Sequence, residues 1–559
     1  MTLIDLFNAS CKKYADRPCL SMALNTPLTY AEVREKVEKL ATALHSAGVK
    51  KKDKIAILAE NSPNWGIAYL AVIRLGAIVV PILPDFLGTD VRHIITESNV
   101  KIIFTTKRQI EKIFELQDHK INSIITLDDS PACKELGDIT TFSSFLSSTE
   151  HLSEKKIARF HNSAIEIDDN DLASVIYTSG TSGHSKAVLL SHRNLVANVQ
   201  SADQLVDITP DWTFLSILPM SHTYEFTIGF LLPLYKGCRI VYAGKSPTPR
   251  ILEKVCKHEK PTAMCIVPMV MEKIYKKRVM TAIEHNMVLS TAVKINFLRK
   301  ALFRKIGAKL LDFFGGNLEL LAIGGAAINF DTEKFLKEAQ FPYIIGYGLT
   351  ETSPLLAGGP LNDPTIELGS TGKPVPNVEI RITHPEPETG IGEIMARGPN
   401  VMQGYFNRPE LTEETIDENG WLATGDLGYF DKQGNLHIKG RSKSVIVLAH
   451  GENIYPEAIE EKINSNIYVV ESLVTENNNS LEARIYLDYD LIDQETKGKS
   501  NVKRKKFIDT ILKELQQEIN AQLPTYSKIS RFIERQEPFT KTATHKIKRY
   551  LYTSSGEEQ

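Results

Sequence analysis

The stretch Tyr177–Lys186, YTSGTSGHSK, sets glycines, hydroxyl side chains and a lysine directly after the apolar run Ala173–Ile176. Gly180 and Gly183 remove side chains, so backbone N–H groups can turn inward around a polyphosphate. Thr178, Ser179, Thr181 and Ser182 add hydroxyl donors, and Lys186 adds a positive charge. The spacing is not that of a Walker A loop, which needs Gly immediately before Lys and Ser or Thr after it; Ser185 and Ala187 stand there instead. Alone, such a stretch reads as a flexible loop. Its place at the end of a strand argues for phosphate binding.

Five further segments stand out. They are GGAAI at Gly324–Ile328, IIGYGLTETSP at Ile344–Pro354, GWLATGDLGYF at Gly420–Phe430, IKGRSKSVIVLAHGENIYPEAIE at Ile438–Glu460 and KTATHKIKR at Lys541–Arg549. Singly, each has a plain reading: a turn, a strand end, a hairpin, a charged linker, a basic tail. Their joint occurrence in this order is what argues for a site.

The elements that must position these segments alternate between helix and strand. Residues 31–48 put Val33, Val37, Leu40, Ala41 and Leu44 on one face and stop at a glycine. Lys54–Ala59 reads as a strand, Asn64–Leu75 as a helix, and Ala77–Ile82, Ile102–Thr105 and Ile124–Leu127 as strands. That rhythm predicts a parallel, helix-covered sheet. From about Gly369, Gly-, Pro- and Asn-rich turns separate short β-rich runs, which predicts an antiparallel barrel or small sheets. After Arg441 a compact α+β pattern follows, and the domain boundary falls near 440.

At 559 residues and 42% hydrophobic composition the chain has ample core for several folding units. A formal net charge of -2 gives none of the basic excess of a nucleic-acid binder. Cys11, Cys19, Cys133, Cys238, Cys256 and Cys265 form no C-x-x-C pair, against a disulfide scaffold or a cysteine zinc site and for a reducing, cytoplasmic setting. The start of the chain carries no signal-peptide pattern. Ile67–Leu83 is the most membrane-like stretch, but Arg74, Gly76 and Pro81 interrupt it; a buried helix followed by a core strand is expected. The basic run Lys503–Lys506 opens a helix with Phe507, Ile508, Ile511, Leu512, Leu515 and Ile519 on its apolar face. Its charges are expected in water, with phosphate or anionic-membrane contact as the alternative.

In their order the motifs resemble the adenylate-forming superfamily of acyl-CoA synthetases, adenylation domains and luciferases. LPMSHTYEFTIGF (Leu218–Phe230), GENIYP and KIKRYLY look most like bacterial long-chain fatty acyl-CoA synthetases. The resemblance implies an α/β fold: an N-terminal domain over 1–440, made of two doubly wound subdomains and a distorted β-barrel at about 365–440, a hinge at 441–444, and a small mobile α+β domain over 445–559. It implies ATP, Mg²⁺ and coenzyme A as cosubstrates and a fatty acid as substrate. Attack of the carboxylate on the α-phosphate gives acyl adenylate and pyrophosphate, and the thiol then displaces AMP.

By similarity Thr178–Lys186 wraps the β- and γ-phosphates, and Glu351 with Thr178 holds Mg²⁺, a hard ion that favours oxygen. Thr350 lies beside the α-phosphate. Tyr347, with Gly348 after it, offers a face for adenine, and Gly324, Gly325 and Ala326 leave room for the purine. Asp426 accepts the ribose hydroxyls, and Arg441 donates to the same sugar or its phosphate. Lys546 matches the catalytic lysine, a cation for the charge gathered on the phosphoryl oxygens in the transition state. His222 matches a position near the acyl carboxylate. Lys443 matches the hinge, and rotation about it would bring Gly451, in the Ala449–Asn453 loop, to a narrow thiol tunnel.

Three residues depart from the family pattern: Ala187 for a glycine, Ser444 for an acid, and His545 for the glycine before the catalytic lysine. Phe226, Ile228, Phe230, Leu231, Val267 and Met269 suit an alkyl chain or else are core. Transfer to an acyl carrier protein, or a catalytically silent nucleotide-binding scaffold, are the alternative functions. A phosphotransferase is disfavoured by the missing Walker A and kinase patterns.

Overall fold

The computed structural model describes residues 1–114, 121–129, 139–151, 165–178, 185–244, 248–284, 286–448, 452–498, 500–542 and 546–552. Local sequence signals start the helices. Thr29 and Glu32 close a reciprocal capping box before Tyr30–Ser46, and Ser62 caps Pro63–Arg74, whose first position is the proline. Pro63–Arg74 is buried over Trp65–Ile73, the all-round burial of a helix packed between layers. With the buried strand Ile78–Ile82 it accounts for the membrane-like stretch. Among the described residues no helix is long and apolar enough to cross a membrane. All described cysteines are free and buried.

Two large sheets carry the N-terminal part. The eight-stranded one runs Gly404–Tyr405, Lys186–Ser191, Leu172–Thr178, Ile78–Ile82, Lys54–Leu58, Ile102–Thr105, Ser123–Thr126, Ile139–Thr141. It is parallel from Leu172–Thr178 to Ile139–Thr141, as the βαβ rhythm predicts. Its other end differs. Lys186–Ser191 pairs antiparallel with Leu172–Thr178, and Gly404–Tyr405 pairs antiparallel with it in turn. The strands on either side of the glycine-rich segment are therefore antiparallel neighbours, and a strand rather than a helix follows it.

The seven-stranded sheet runs Tyr343–Ile345, Leu320–Ile323, Ala263–Ile266, Thr213–Ser216, Arg239–Tyr242, Pro18–Met22, Leu28–Thr29, antiparallel only at its last pair. A continuous core containing Trp65, Tyr69, Phe226 and Phe230 joins elements of both sheets. Two small antiparallel sheets follow, one of three strands and one of four. Two small clusters join them, Leu356 with Val375 and Ala396 in one and Ala357 with Ile394 and Leu436 in the other. The C-terminal part is a three-stranded sheet, Val469–Asn477, Ser480–Leu487 and Ile529–Arg535, covered by helices Pro456–Asn464 and Asn501–Ala521. Ile508, Ile511, Leu515 and Ile519 of the longer helix are buried. The basic residues of its first turns are not, and Arg504 pairs with Asp493 at 2.7 Å.

Candidate active site

The parallel strands Leu320–Ile323 and Tyr343–Ile345 end side by side, and the chain leaving each of them carries a candidate motif. Ligands of open α/β sheets bind beyond the carboxyl ends of such strands. Gly324, Gly325 and Ala326 follow the first. A Cβ on Gly325 would meet only Val267 Cγ1 at 3.7 Å, so its φ of +88° and not crowding calls for glycine there. Tyr347 and Gly348 follow the second and pair back with Leu355–Gly358. Here packing decides, because a Cβ on Gly348 would lie 1.8 Å from the Pro354 carbonyl oxygen.

The intervening turn, Thr350–Thr352, is tied down on all sides. Thr352 Oγ1 accepts from Leu349 N at 3.0 Å, and Asn400 Nδ2 donates to the Thr352 and Leu355 carbonyls at 2.9 and 3.0 Å. Asn198 exchanges two hydrogen bonds with the Leu355 backbone. The turn presents Glu351, whose Oε1 accepts from Tyr405 Oη at 2.9 Å. Lys186 Nζ stands 4.9 Å from the centre of the Tyr405 ring, and Thr178 Oγ1 donates to the Lys186 carbonyl at 3.3 Å. The end of the glycine-rich segment and the Glu351 turn thus meet at one tyrosine. Thr223 Oγ1 bonds Thr350 Oγ1 at 3.3 Å, which brings the His222 segment to the same turn.

Asp426 is buried in strand Leu422–Phe430. Its Oδ1 takes Arg441 Nε at 2.8 Å and its Oδ2 takes Tyr347 Oη at 2.7 Å. Burial raises its carboxyl, against the pull of Arg441 and Tyr347. Burial also raises the Tyr347 phenol, and Asp426 adds to the effect. Each carboxylate oxygen keeps a lone pair, so two further donors fit.

Lys546 reaches this group from the C-terminal part. Its loop is a tight return: Lys541 and Ile547 bridge, and Thr542 N donates to the Lys546 carbonyl at 2.8 Å. Loss of hydration and the Arg441 charge lower the Lys546 ammonium, while Asp426 and Glu351 oppose them. Lys546 is also the charge that acts on His222, which burial first and Lys546 second depress to about 4. The imidazole is therefore neutral at pH 7. Tyr224 N donates to His222 Nδ1 at 3.3 Å, which puts the ring proton on Nε2. His222, Tyr224 and Tyr347 are half-buried and Lys546 is exposed, although protein crowds all four, as along the walls of a cleft.

Lys546, Glu351, Thr350, Tyr347, Asp426, Arg441, Lys186, Thr178 and His222 therefore converge from six separate stretches of sequence. Ser179, Gly180, Thr181, Ser182, Gly183, Gly451 and His545 lie outside the described residues. Lys443 is exposed on the turn Ser442–Ser444, directly after Arg441. The apolar set divides. Phe226 packs against Trp65 and Tyr69, and Phe230 against Gly66, so both are core. Met269 faces solvent, and Val267 lies beside the space a Gly325 side chain would take. Sequence reasoning passed over Tyr405 and Tyr224. The tyrosine in GYFNRPE has no spacing signal, whereas Tyr224 stands two residues from His222 and lies against Gly324.

With oxygen donors at Glu351 and Thr178 and cations at Lys186, Arg441 and Lys546, the site suits a magnesium-bound polyphosphate. The family model described as "AMP-binding enzyme" matches residues 7–406, and that described as "AMP-binding enzyme C-terminal domain" matches residues 443–555. The chain is 32% identical over 520 residues to long-chain-fatty-acid–CoA ligase heimdall of Drosophila melanogaster, spanning 85% of this chain and 74% of that protein. It is 30% identical over 452 residues to the 4-coumarate–CoA ligase of Vanilla planifolia, spanning 78% and 74%. In fold it is similar to ATP-bound MatB from Rhodopseudomonas palustris, with a TM-score of 0.76 at 22% identity over 99% of this chain and 98% of that one. The chain belongs to the AMP-binding enzymes, the adenylate-forming superfamily that its motifs resemble.

Proposed function

We propose that the chain is an AMP-forming acid–CoA ligase whose acid is a long-chain fatty acid. The observation that carries this is the position of Lys546 within electrostatic range of Asp426, Glu351 and Arg441, a cation brought by the small C-terminal domain to a carboxylate-bearing cleft of the large one. The reading takes 1–440 and 445–559 as the two domains, with 441–444 as the hinge between them.

In this reading the carboxylate substrate needs no general base, being ionised already at neutral pH. Neutral His222 donates from Nε2 toward it. Lys546 offsets the charge that builds on the phosphoryl oxygens, and Lys186 and Arg441 hold the flanking phosphates and sugar. Asp426 accepts the two ribose hydroxyls while Arg441 and Tyr347 fix its orientation. Glu351, steadied by Tyr405, and Thr178 would hold Mg²⁺, which neutralises phosphate charge when bound. Rotation about Lys443 then withdraws Lys546 and admits coenzyme A beside Gly451.

The test is a fatty-acid-dependent ATP–pyrophosphate exchange panel from short to long chains, with an aromatic acid included. Exchange that rises with chain length supports the reading, and exchange with the aromatic acid alone defeats the fatty-acid part of it. Coenzyme A and a phosphopantetheinyl acyl carrier protein, supplied separately, identify the acceptor.

Peripheral membrane contact belongs to the same reading. Met287, Val288 and Phe297 are 88%, 76% and 71% exposed on helices Met287–Lys294 and Asn296–Phe313, beside exposed Lys294, Lys300, Arg304 and Lys305. Apolar residues ringed by cations suit an anionic bilayer surface. Flotation with anionic but not zwitterionic vesicles, lost in Phe297→Glu, is the expected result.

A further inference from the structure

Away from the cleft, a second contact joins the two domains. Lys276 sits in the turn Tyr275–Met280, between Tyr275, packed on Phe335, and Lys277 and Arg278, which are exposed. Its side chain crosses to the C-terminal domain. There Nζ donates to the carbonyl of Asn464, and to those of Asn466 at 3.2 Å and Val469 at 3.1 Å. These are the last carbonyl of helix Pro456–Asn464 and two in the chain that leads from it into strand Val469–Asn477. An ammonium has three donors, and all three are used.

A reciprocal contact lies beside it. Glu461, of the same helix, accepts at Oε1 from Phe330 N at 3.1 Å. That N–H is the first of helix Phe330–Glu338 in the large domain. The first N–H groups and last carbonyls of a helix have no partner within it and carry its partial charges. Here each domain completes a helix end of the other, with a cation at the carboxyl end and a carboxylate at the amino end. Glu272 joins the patch by accepting from Asn329 N at 2.9 Å, and Lys277 pairs with Asp488 at 3.6 Å. Burial lowers the Lys276 ammonium to about 8 although Glu272 and Asp488 pull the other way, so it is charged at neutral pH and desolvated in this arrangement.

We propose that Lys276 is a positioning residue for the first half-reaction: by filling the carbonyl cage at the end of helix Pro456–Asn464 it holds the C-terminal domain where Lys546 faces Asp426 and Glu351. The inference rests on the ligase reading for its effect on activity. Domain rotation would break the Lys276 and Glu461 contacts together and return the ammonium to water. The contact therefore weights the adenylating arrangement and contributes nothing to the thioester-forming one. Without it the molecule spends less time with Lys546 in place, and the first rate falls in proportion to that population.

The experiment compares wild type with Lys276→Met, which keeps the length and removes the donors, and with Lys276→Gln, which keeps a donating amide. Pyrophosphate exchange is expected to fall about tenfold in Lys276→Met and less in Lys276→Gln. Thioester formation from supplied acyl adenylate should stay within about twofold of wild type or rise. Hydrogen exchange of the Phe330 amide gives a readout without activity, and Lys276→Met should speed it as the Glu461 contact opens. Equal loss of both half-reactions, or loss of neither, overturns the proposal. If the wild type exchanges pyrophosphate with no acid at all, the ligase reading fails by itself. Phe330 protection then decides the contact, and unchanged protection in Lys276→Met overturns it.

Discussion

Gly348→Ala tests whether the Thr350–Glu351 turn must sit where it does. An ideal Cβ at Gly348 would lie 1.8 Å from the Pro354 oxygen and 2.6 Å from its carbon, against the 3.0 Å below which real contacts do not go. The Pro354 carbonyl must retreat by at least about 1.2 Å, yet it also accepts from Leu349 N at 3.1 Å and from the Thr352 hydroxyl. The displacement passes into the residues between, which include Thr350 and Glu351. Misplacing a reacting or charge-bearing group by about 1 Å costs about 100-fold in rate, or about 2.7 kcal/mol of barrier. Overpacking also lowers stability by about 1–3 kcal/mol, so the folded fraction is measured by thermal and urea denaturation at the assay temperature. Pyrophosphate exchange per folded molecule should fall about 100-fold, mainly in kcat. A folded Gly348→Ala enzyme within about threefold of wild type would refute the claim that this turn positions the chemistry.

Lys546→Ala should abolish acyl-adenylate formation while sparing thioester formation from supplied acyl adenylate, read in separate half-reaction assays; equal loss of both contradicts the division of labour. Tyr405→Phe removes the 2.9 Å hydrogen bond to Glu351 and should cost about 1.5–3 kcal/mol, seen as a higher Mg²⁺ requirement in exchange; an unchanged Mg²⁺ curve argues against Glu351 as a metal ligand. Glu225 is buried on the segment Glu225–Leu231, and burial raises its carboxyl from 4.5 to about 8 against the pull of Ser216. Between those values the folded chain keeps a proton that the unfolded chain has lost, so this group makes stability fall as pH rises from 4.5 to 8. Glu225→Gln should therefore gain stability relative to wild type, by an amount that grows from pH 5 to 8 toward a few kcal/mol; a pH-independent difference in urea midpoints would show Glu225 ionised in the fold.

Much of the fold is legible because local and global signals agree. The capping box at Thr29–Glu32 and the spacing of Val33, Val37, Leu40 and Leu44 place the helix Tyr30–Ser46 with its buried face. The antiparallel pairing of strand Lys186–Ser191 is not legible, since a strand leaving a glycine-rich loop looks the same whichever way it pairs. The site divides on similar lines. Glycines, acids and lysines in motifs can be found from residue type, and nine candidate residues do converge. Phe226 and Phe230 show the limit, because an aromatic side chain suits an alkyl tunnel and a core equally, and only Trp65, Tyr69 and Gly66 beside them decide. Tyr405 fails differently: its function comes from a hydrogen bond to a residue 54 positions away, and nothing at its own position announces it.

In the proposed reading the last cation is supplied by a domain that moves, and the charges of the cleft give a reason for it. Among the described residues, Lys186, Arg441 and Lys546 face Glu351 and Asp426, with His222 neutral. With Lys546 in place these five charged groups sum to one positive charge, and without it they balance. A triphosphate and a pentacoordinate phosphoryl group call for the first state, since each added anion repays the desolvation that lowers the lysine. The product pyrophosphate and the thiol step call for the second, because a cation left over the adenylate would hold the departing anion. A fixed lysine would serve one of these states at the expense of the other. Carrying it on a hinged domain, as proposed, would let one cavity change its net charge by one unit without titrating any group. Because that change comes from geometry and not from pH, the ratio of the two half-reactions should respond to substitutions at the domain contact more than to substitutions that shift protonation.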